Sequence, residues 1–425
     1  MSKLRGIVVL VLALSSFSGA AFAGGFALNE NSASATGKGT AFVGEANDPS
    51  AIFYNPAGIT QLPGTQVMIG AALIKLDSTF RSSTTNETSQ LQDQFPVLPH
   101  IYITHRFKGW DERLSIGLGI YTPFGIVIDW PDNWQGRFAT TNARLRVTVY
   151  NPTIAFQATP KLSVAAGLQV TDVGAGFEQK FNAGTGESKA RIHDLTAHPI
   201  GWNVGALYHV TETTSAGIQF RSELQAKLNG DADFTGPAAT GPPFPLLTNT
   251  KFSTSIKLPP RVVAGISTKV IPRWTLNADI EWQGWSTVGT IPKTFATTAD
   301  STVPQSALNA RGIRDWKNSW VYKIGAEFAA TDRLALRGGY FYDESGIPDS
   351  TFNPTIPTAN LHALTIGFGY KWSTVVVDAA YLFGLYEKRS IDSRTIEPDN
   401  LAGPTAFGSY ASMAQVVIIS VTKKF

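Results

Sequence analysis

The sequence predicts an all-β fold: a fourteen-stranded antiparallel transmembrane β-barrel closed by an amino-terminal plug. Three observations predict it. Charged residues make up 16% of the 425 residues and aromatics 11%, against roughly 25% charged residues in soluble domains. Apolar and polar residues alternate with a period of two along most of the chain, which puts them on opposite faces of strands. Short and long connections alternate between these segments, as they do in bacterial outer-membrane barrels.

The first element expected is a signal peptide over residues 1–23. Lys3 and Arg5 form its basic head, Ile7 to Phe17 its apolar run, and Ala21-Phe22-Ala23 its small-x-small cleavage site. That run is too short to cross a bilayer as an anchor, and no later stretch has 18 consecutive apolar residues. Cleavage leaves 402 residues with 33 Lys or Arg and 32 Asp or Glu. So balanced a charge argues against a general nucleic-acid binder. The absence of cysteine excludes disulfides and thiolate zinc sites.

Residues 24–64 contain seven Gly, three Pro and five Asn or Asp, with apolar residues at irregular spacing. The segment is neither strand nor good helix. It is also too apolar for a free linker, because its apolar residues would stay in water. It is expected to fold inside the barrel; the alternative is a periplasmic tail.

Residues 65–425 form the barrel. Its strands are expected near 65–76, 98–107, 112–122, 144–158, 161–173, 199–210, 213–226, 253–270, 273–286, 317–329, 332–343, 360–372, 374–387 and 409–424. In 273–286, Trp274, Leu276, Ala278, Ile280 and Trp282 share one face, and Thr275, Asn277, Asp279, Glu281 and Gln283 share the other. Trp274 and Trp282 are eight residues apart, as are Trp320 and Phe328. Eight residues at about 3.3 Å each, tilted by roughly 40°, rise about 20 Å, close to the height of an outer-membrane apolar band between aromatic girdles. A soluble sandwich would bury large aliphatics on its inner face; here the opposite face is small or charged. Phe425 ends an amphipathic last strand, the feature that outer-membrane assembly machinery reads.

The motifs are similar to those of one family. Gly25-Phe26-Ala27-Leu28-Asn29-Glu30, Asn55-Pro56-Ala57, Trp130-Pro131-Asp132-Asn133-Trp134-Gln135-Gly136-Arg137-Phe138 and the run from Asp315-Trp316 through Asp343-Glu344-Ser345-Gly346 to Asp349 resemble the FadL family of outer-membrane transporters. The resemblance implies a plug called the hatch and passive uptake of long-chain fatty acids or, in a related branch, aromatic hydrocarbons. It implies capture by apolar outer loops, a lumen pocket above the hatch, and sideways release near an inward-kinked third strand. Outer-membrane lipid and lipopolysaccharide are the expected surroundings, and a monomer the expected state.

Candidate ligand-binding residues are Phe26, Leu28, Trp134, Arg137, Phe138, Phe234, Phe244 and Leu246. Phe26 matches a family position near the pocket. Arg137, between Trp134 and Phe138, either pairs with a ligand carboxylate or anchors its loop. Phe234 to Leu247 is apolar and proline-rich; exposed apolar surface usually marks a binding site, although Pro and Gly also serve plain turns. Asn55, Pro56 and Ala57 form a turn that locks or hinges the hatch. Gly117 and Gly119 in the third strand mark a bend or a close backbone approach. Lys323, Glu327, Arg337, Asp343 and Asp378 face the lumen by period, as a charge network that holds the hatch rather than as catalysts.

No cofactor or metal is expected. G-x-S-x-G, GxxxxGK and GxGxxG are absent, and His193, Asp194 and His198 in one expected loop are a weak metal pattern. Two other classes remain to be weighed. An outer-membrane enzyme needs Ser, His and carboxylates converging at the rim and no plug. A polar porin needs a charged constriction and no plug.

Overall fold

The computed structural model describes residues 25–182, 186–237, 247–296, 312–392 and 404–425. The expected signal peptide lies outside them. Fourteen antiparallel strands close into a barrel. The first five are β1 Thr65–Ser82, β2 Val97–Arg106, β3 Leu114–Asp129, β4 Asn142–Gln157 and β5 Leu162–Asn182. The next three each come in two segments: β6 Glu187–Ala197 and Ile200–His209, β7 Thr214–Arg221 and Leu224–Thr235, β8 Thr250–Leu258 and Arg261–Thr268. The last six are β9 Trp274–Gln283, β10 Ser319–Ala329, β11 Leu334–Asp343, β12 Leu361–Trp372, β13 Val375–Tyr386 and β14 Gly408–Lys424. β14 closes the ring on β1, from Gln66↔Lys424 to Ser82↔Gly408.

Several strands run further than their sequence pattern. The expected long connection 174–198 is mostly strand, because β5 continues to Asn182 and pairs with the upper segment of β6. His193 therefore sits in a strand, bonded to Asp194 and Asp233. The polar alternation of these tips hides them from a search for apolar faces. The breaks in β6 and β8 fall at Pro199 and at Pro259-Pro260, residues that cannot donate to a ladder.

The outward face carries the apolar alternation. Ile366, Leu364 and Trp372 are exposed there, while Thr275, Asn277, Asp279 and Glu281 point inward and are buried. The lumen is filled by residues 25–64. All of 25–60 except Asn47 and Asp48 are buried. The segment contains two short helices, α1 Ala33–Thr36 and α2 Ala51–Tyr54, and a 3-10 helix, Pro56–Gln61. Asn55 starts the last: its side chain accepts from Ala57 N–H, and its amide donates to Val43 O and Ala206 O, both at 3.0 Å. One side chain thus ties the segment to itself and to β6.

Inward-facing glycines let this backbone touch the wall. A Cβ on Gly325 would lie 2.1 Å from Lys38 O, and one on Gly339 would lie 2.1 Å from Gly39 N. Gly325→Val or Gly339→Val is expected to loosen residues 25–64 by about 1–3 kcal/mol, the usual cost of overpacking, and to leave the barrel closed. Faster proteolysis within 25–64, with unchanged heat-modifiability on a gel, is the expected result; an unchanged cleavage rate would count against this packing.

Candidate functional site

The site starts at a gap in the wall. β2 pairs with β3 from Arg106↔Ser115 to Ile101↔Ile120 and no further, although β1 keeps pairing with β2 up to Val97. Above Ile120 the register of β3 with β4 shifts between Tyr121 and Phe124, at Thr122-Pro123. Pro123 has no N–H to offer a ladder. β3 leaves β2 here, and the amino-terminal segment takes the vacated place. Gly125 N–H donates to Phe26 O at 2.9 Å, and Leu28 N–H donates to Pro123 O at 2.8 Å.

The bend therefore lies above Gly117 and Gly119. Those two glycines accommodate Ile52 of α2, which would lie 2.7 and 2.9 Å from an added Cβ. Theirs is a close approach and not the bend.

Above Phe26 lies an apolar cavity of about 160 Å3. Its lining draws on the upper wall (Leu145, Phe177, Ile192, Phe252), the connection between β9 and β10 (Ile291, Trp316) and the connection between β11 and β12 (Ile347, Ile356). Phe26 is its aromatic floor. Its ring lies 5.1 Å from Trp285, 5.9 Å from Phe124 and 6.0 Å from Trp316. Gly25 has φ +81, and a Cβ there would meet Trp285 at 2.8 Å, so Phe26 is held where a side chain before it would not fit.

Two cations border this apolar space. Lys293 and Arg314 both line the cavity. Lys293 Nζ sits 4.4 Å over the Phe177 ring and donates to Gln179 Oε1 at 3.2 Å. Arg314 Nη1 donates to Ile313 O at 3.3 Å. Among the described residues, no carboxylate pairs with either. Burial, with the Arg314 charge adding, pushes Lys293 from its ordinary value down to about 7. Burial lowers Arg314 to about 10. Cations held without a counter-charge are ready to accept an anionic group.

Of the expected ligand residues, Phe26 lines the cavity. Leu28 is buried and serves the wall bond to Pro123. Trp134 is buried under the outer loops, stacked on Trp130 at 4.3 Å and against Phe80 at 5.4 Å. Arg137 holds Glu187 through its guanidinium and lies 4.6 Å over the half-buried Phe138. It anchors its loop, and the cavity's cations come from another loop. Phe234 packs on Phe295 at 5.8 Å, one ring away from the cavity residue Phe252. Phe244 and Leu246 lie outside the described residues.

Below the cavity the lumen charges fall into two groups. Arg337 donates to Glu327 Oε2 at 2.7 Å and Asp378 Oδ1 at 2.6 Å. Lys323 pairs instead with Glu281 at 2.6 Å, which Arg261 also holds at 2.6 Å, and Arg261 reaches Asn29 of the amino-terminal segment. Asp343 is buried without an ion-pair partner among the described residues. Asp279 accepts from Phe42 and Val43 N–H at 2.7 and 3.0 Å. Sequence periodicity places Glu281, Asp279 and Arg261 inward, but says nothing of which one grips the plug.

A family model described as outer membrane protein transport protein (OMPP1/FadL/TodX) matches residues 14–425. The chain belongs to this family. It is an outer-membrane β-barrel of a family that transports hydrophobic substrates. It is 22% identical to the long-chain fatty acid transport protein of Escherichia coli (strain K12), over 88% of this chain and 91% of that one. It is 24% identical to a putative outer membrane protein of Neisseria meningitidis serogroup B, over 88% of both. Its fold is like that of a Pseudomonas aeruginosa FadL homologue, with TM-score 0.79, 18% identity and coverage of 94% and 100%. It is also like that of the Pseudomonas putida toluene transporter TodX, with TM-score 0.71, 16% identity and coverage of 96% and 99%.

Glu281→Ala leaves Arg261 and Lys323 buried without their anion. Breaking such a buried pair typically costs about 3–5 kcal/mol. A lower thermal midpoint by calorimetry is expected, together with greater protease access to residues 25–64; an unchanged midpoint would show that the two cations find other partners.

Proposed function

We propose that this chain is a passive uptake channel for hydrophobic small molecules, long-chain fatty acids foremost. The observation that carries this reading is the pair Lys293 and Arg314, two cations without a described counter-charge on the edge of an apolar cavity. A fatty acid offers the complement: a carboxylate for the cations and an alkyl chain for the walls. The named function of the Escherichia coli relative supports the same ligand class.

A second reading, monoaromatic hydrocarbons, has its own support. The cavity is about 160 Å3, and an apolar cavity of about 150 Å3 holds benzene. The toluene transporter among the structural neighbours points the same way.

In the proposed route, outer loops capture the ligand and the cavity holds it over Phe26. Residues 25–64 act as the hatch. Release is sideways, where β3 parts from β2 and residues 26–28 fill the place. Asn55, Pro56 and Ala57 anchor the hatch during this movement. An enzyme or a polar porin gives no role to a plug that fills the lumen and seals its wall.

Binding of labelled oleate, with xylene as competitor, tests the ligand class. Lys293→Gln and Arg314→Gln are each expected to weaken oleate binding about tenfold or more, as a lost charge-assisted contact does, and to change xylene binding little. The pH sign follows. Below about 7 Lys293 is protonated before ligand arrives. Above it, binding must take up a proton, so oleate affinity falls with rising pH, by at most tenfold per unit, while xylene affinity stays flat. Equal losses for both ligands would overturn the carboxylate assignment.

The release step has a separate test, helped by the absence of native cysteine. Ala27 bridges Phe124 across the gap. A chain carrying Ala27→Cys and Phe124→Cys is expected to bind ligand whether oxidised or reduced, but to support uptake only when reduced. Full uptake by the oxidised protein would exclude release through this gap.

A further inference from the structure

The short-turn end of the barrel carries a charge imbalance that the transport route does not use. Its segments, 106–113, 158–161, 210–213, 269–273, 330–333, 371–374 and 423–425, contain ten Lys or Arg and four Asp or Glu. The rest of residues 24–425 contains 23 and 28. The near-neutral chain is thus a basic rim on an acidic body. Among the described residues, Arg106 has an acidic partner within 4 Å, Glu112 at 3.9 Å; no ion pair to the other nine rim cations is found.

Three of the ten cations lie beside rings, and backbone carbonyls at the turns also hold Arg113 and Arg273. Arg113 lies 4.8 Å over Phe156, Arg273 5.4 Å over Phe328, and Lys423 5.7 Å over Phe425. The same end presents Trp274, Trp372 and Phe425 outward, 40%, 73% and 75% exposed. Such rings sit at the headgroup level of a bilayer. These three cations therefore lie against the membrane boundary and do not project away from it. All ten come from turns around the perimeter: β2–β3, β4–β5, β8–β9, β10–β11 and β12–β13, with the chain end. The β6–β7 turn, 210–213, holds Glu212 alone.

We propose that this rim binds anionic phospholipid headgroups of the inner leaflet, selected by their net negative charge. A protein partner would need one cohesive patch, whereas a lipid annulus meets the whole perimeter at one height. Phosphodiester oxygens accept from lysine and arginine side chains, and an anionic leaflet attracts basic segments near its surface.

The test is the association of spin-labelled phosphatidylglycerol, against spin-labelled phosphatidylcholine, with the whole protein in phosphatidylcholine bilayers. At low salt the protein is expected to prefer phosphatidylglycerol by roughly threefold to fivefold, the scale of one basic residue near a surface. The preference should fall toward one at 1 M salt, where the screening length is about 3 Å. A chain with Lys269→Gln, Arg333→Gln, Lys371→Gln and Lys424→Gln should lose most of it. Heat-modifiability on a gel checks that this chain has folded, and Lys269→Gln with Lys371→Gln is the milder variant, expected to lose part. An unchanged preference in folded variants would overturn the proposal. So would a wild-type chain without preference that binds soluble polyglutamate, which would reassign the rim to an acidic protein partner.

Discussion

In hydrocarbon no water is available to a backbone N–H or C=O, so every such group needs a partner in the protein. Seventeen residues of β1 meet seventeen of β14 to close the ring, from Gln66↔Lys424 to Ser82↔Gly408. The rule is strained where β3 bends, as it is at the breaks in β6, β7 and β8. Above Ile120 the upper half of β3 loses β2, and the backbone of Phe26 and Leu28 supplies the missing bonds. One of the residues that complete the wall, Phe26, also floors the cavity. In the proposed route this coupling has a direct consequence: a displacement of residues 26–28 moves the Phe26 ring and frees the edge of β3 together. No separate signal is needed between a filled cavity and an opened wall.

The same constraint explains the charged lumen. A plug made of loops and single helical turns cannot satisfy its own backbone. Phe42 and Val43 N–H find Asp279, Ala33 N–H finds Ser420, and Gly39 N–H finds Thr365. Wall side chains thus do for the plug what a ladder does for a strand. Buried ion pairs are weak evidence for net stability, but they are selective in geometry. Arg261 meets both Glu281 and Asn29, and that fixes where the first residues of the plug sit beneath the cavity.

The strands were legible because their signal is repeated: one face must be apolar wherever lipid touches it, and period two leaves little freedom. The polar upper tips of β5 and β6 carry no such face, and they read as loop. At Gly117 and Gly119 the sequence allows a bend or a close backbone approach; that the neighbour is the Ile52 side chain of the plug is a long-range fact that spacing does not carry. The loop residues were the least legible. Arg137 has aromatic neighbours in sequence and looks like a ligand contact, yet Glu187, fifty residues away, takes its guanidinium. Lys293 and Arg314 have no local motif. They meet the cavity because the β9–β10 connection that carries both folds over it, and neither periodicity nor spacing encodes that.

The choice between a carboxylate ligand and a neutral hydrocarbon turns on one balance. Holding two cations beside an apolar space disfavours their charged forms, which is why burial lowers both from their ordinary values. A neutral ligand displaces water from the cavity and leaves that penalty in place. A carboxylate removes it, because the ligand supplies the missing charge where water is scarce and attraction is strongest. The apolar lining sets how much hydrocarbon is welcome and admits both ligand classes. In the proposed reading the discrimination lies with the cations: a chain built for toluene alone gains nothing from keeping Lys293 and Arg314 at the cavity edge, whereas a chain built for fatty acids gains affinity and an orientation with the head toward the β9–β10 connection.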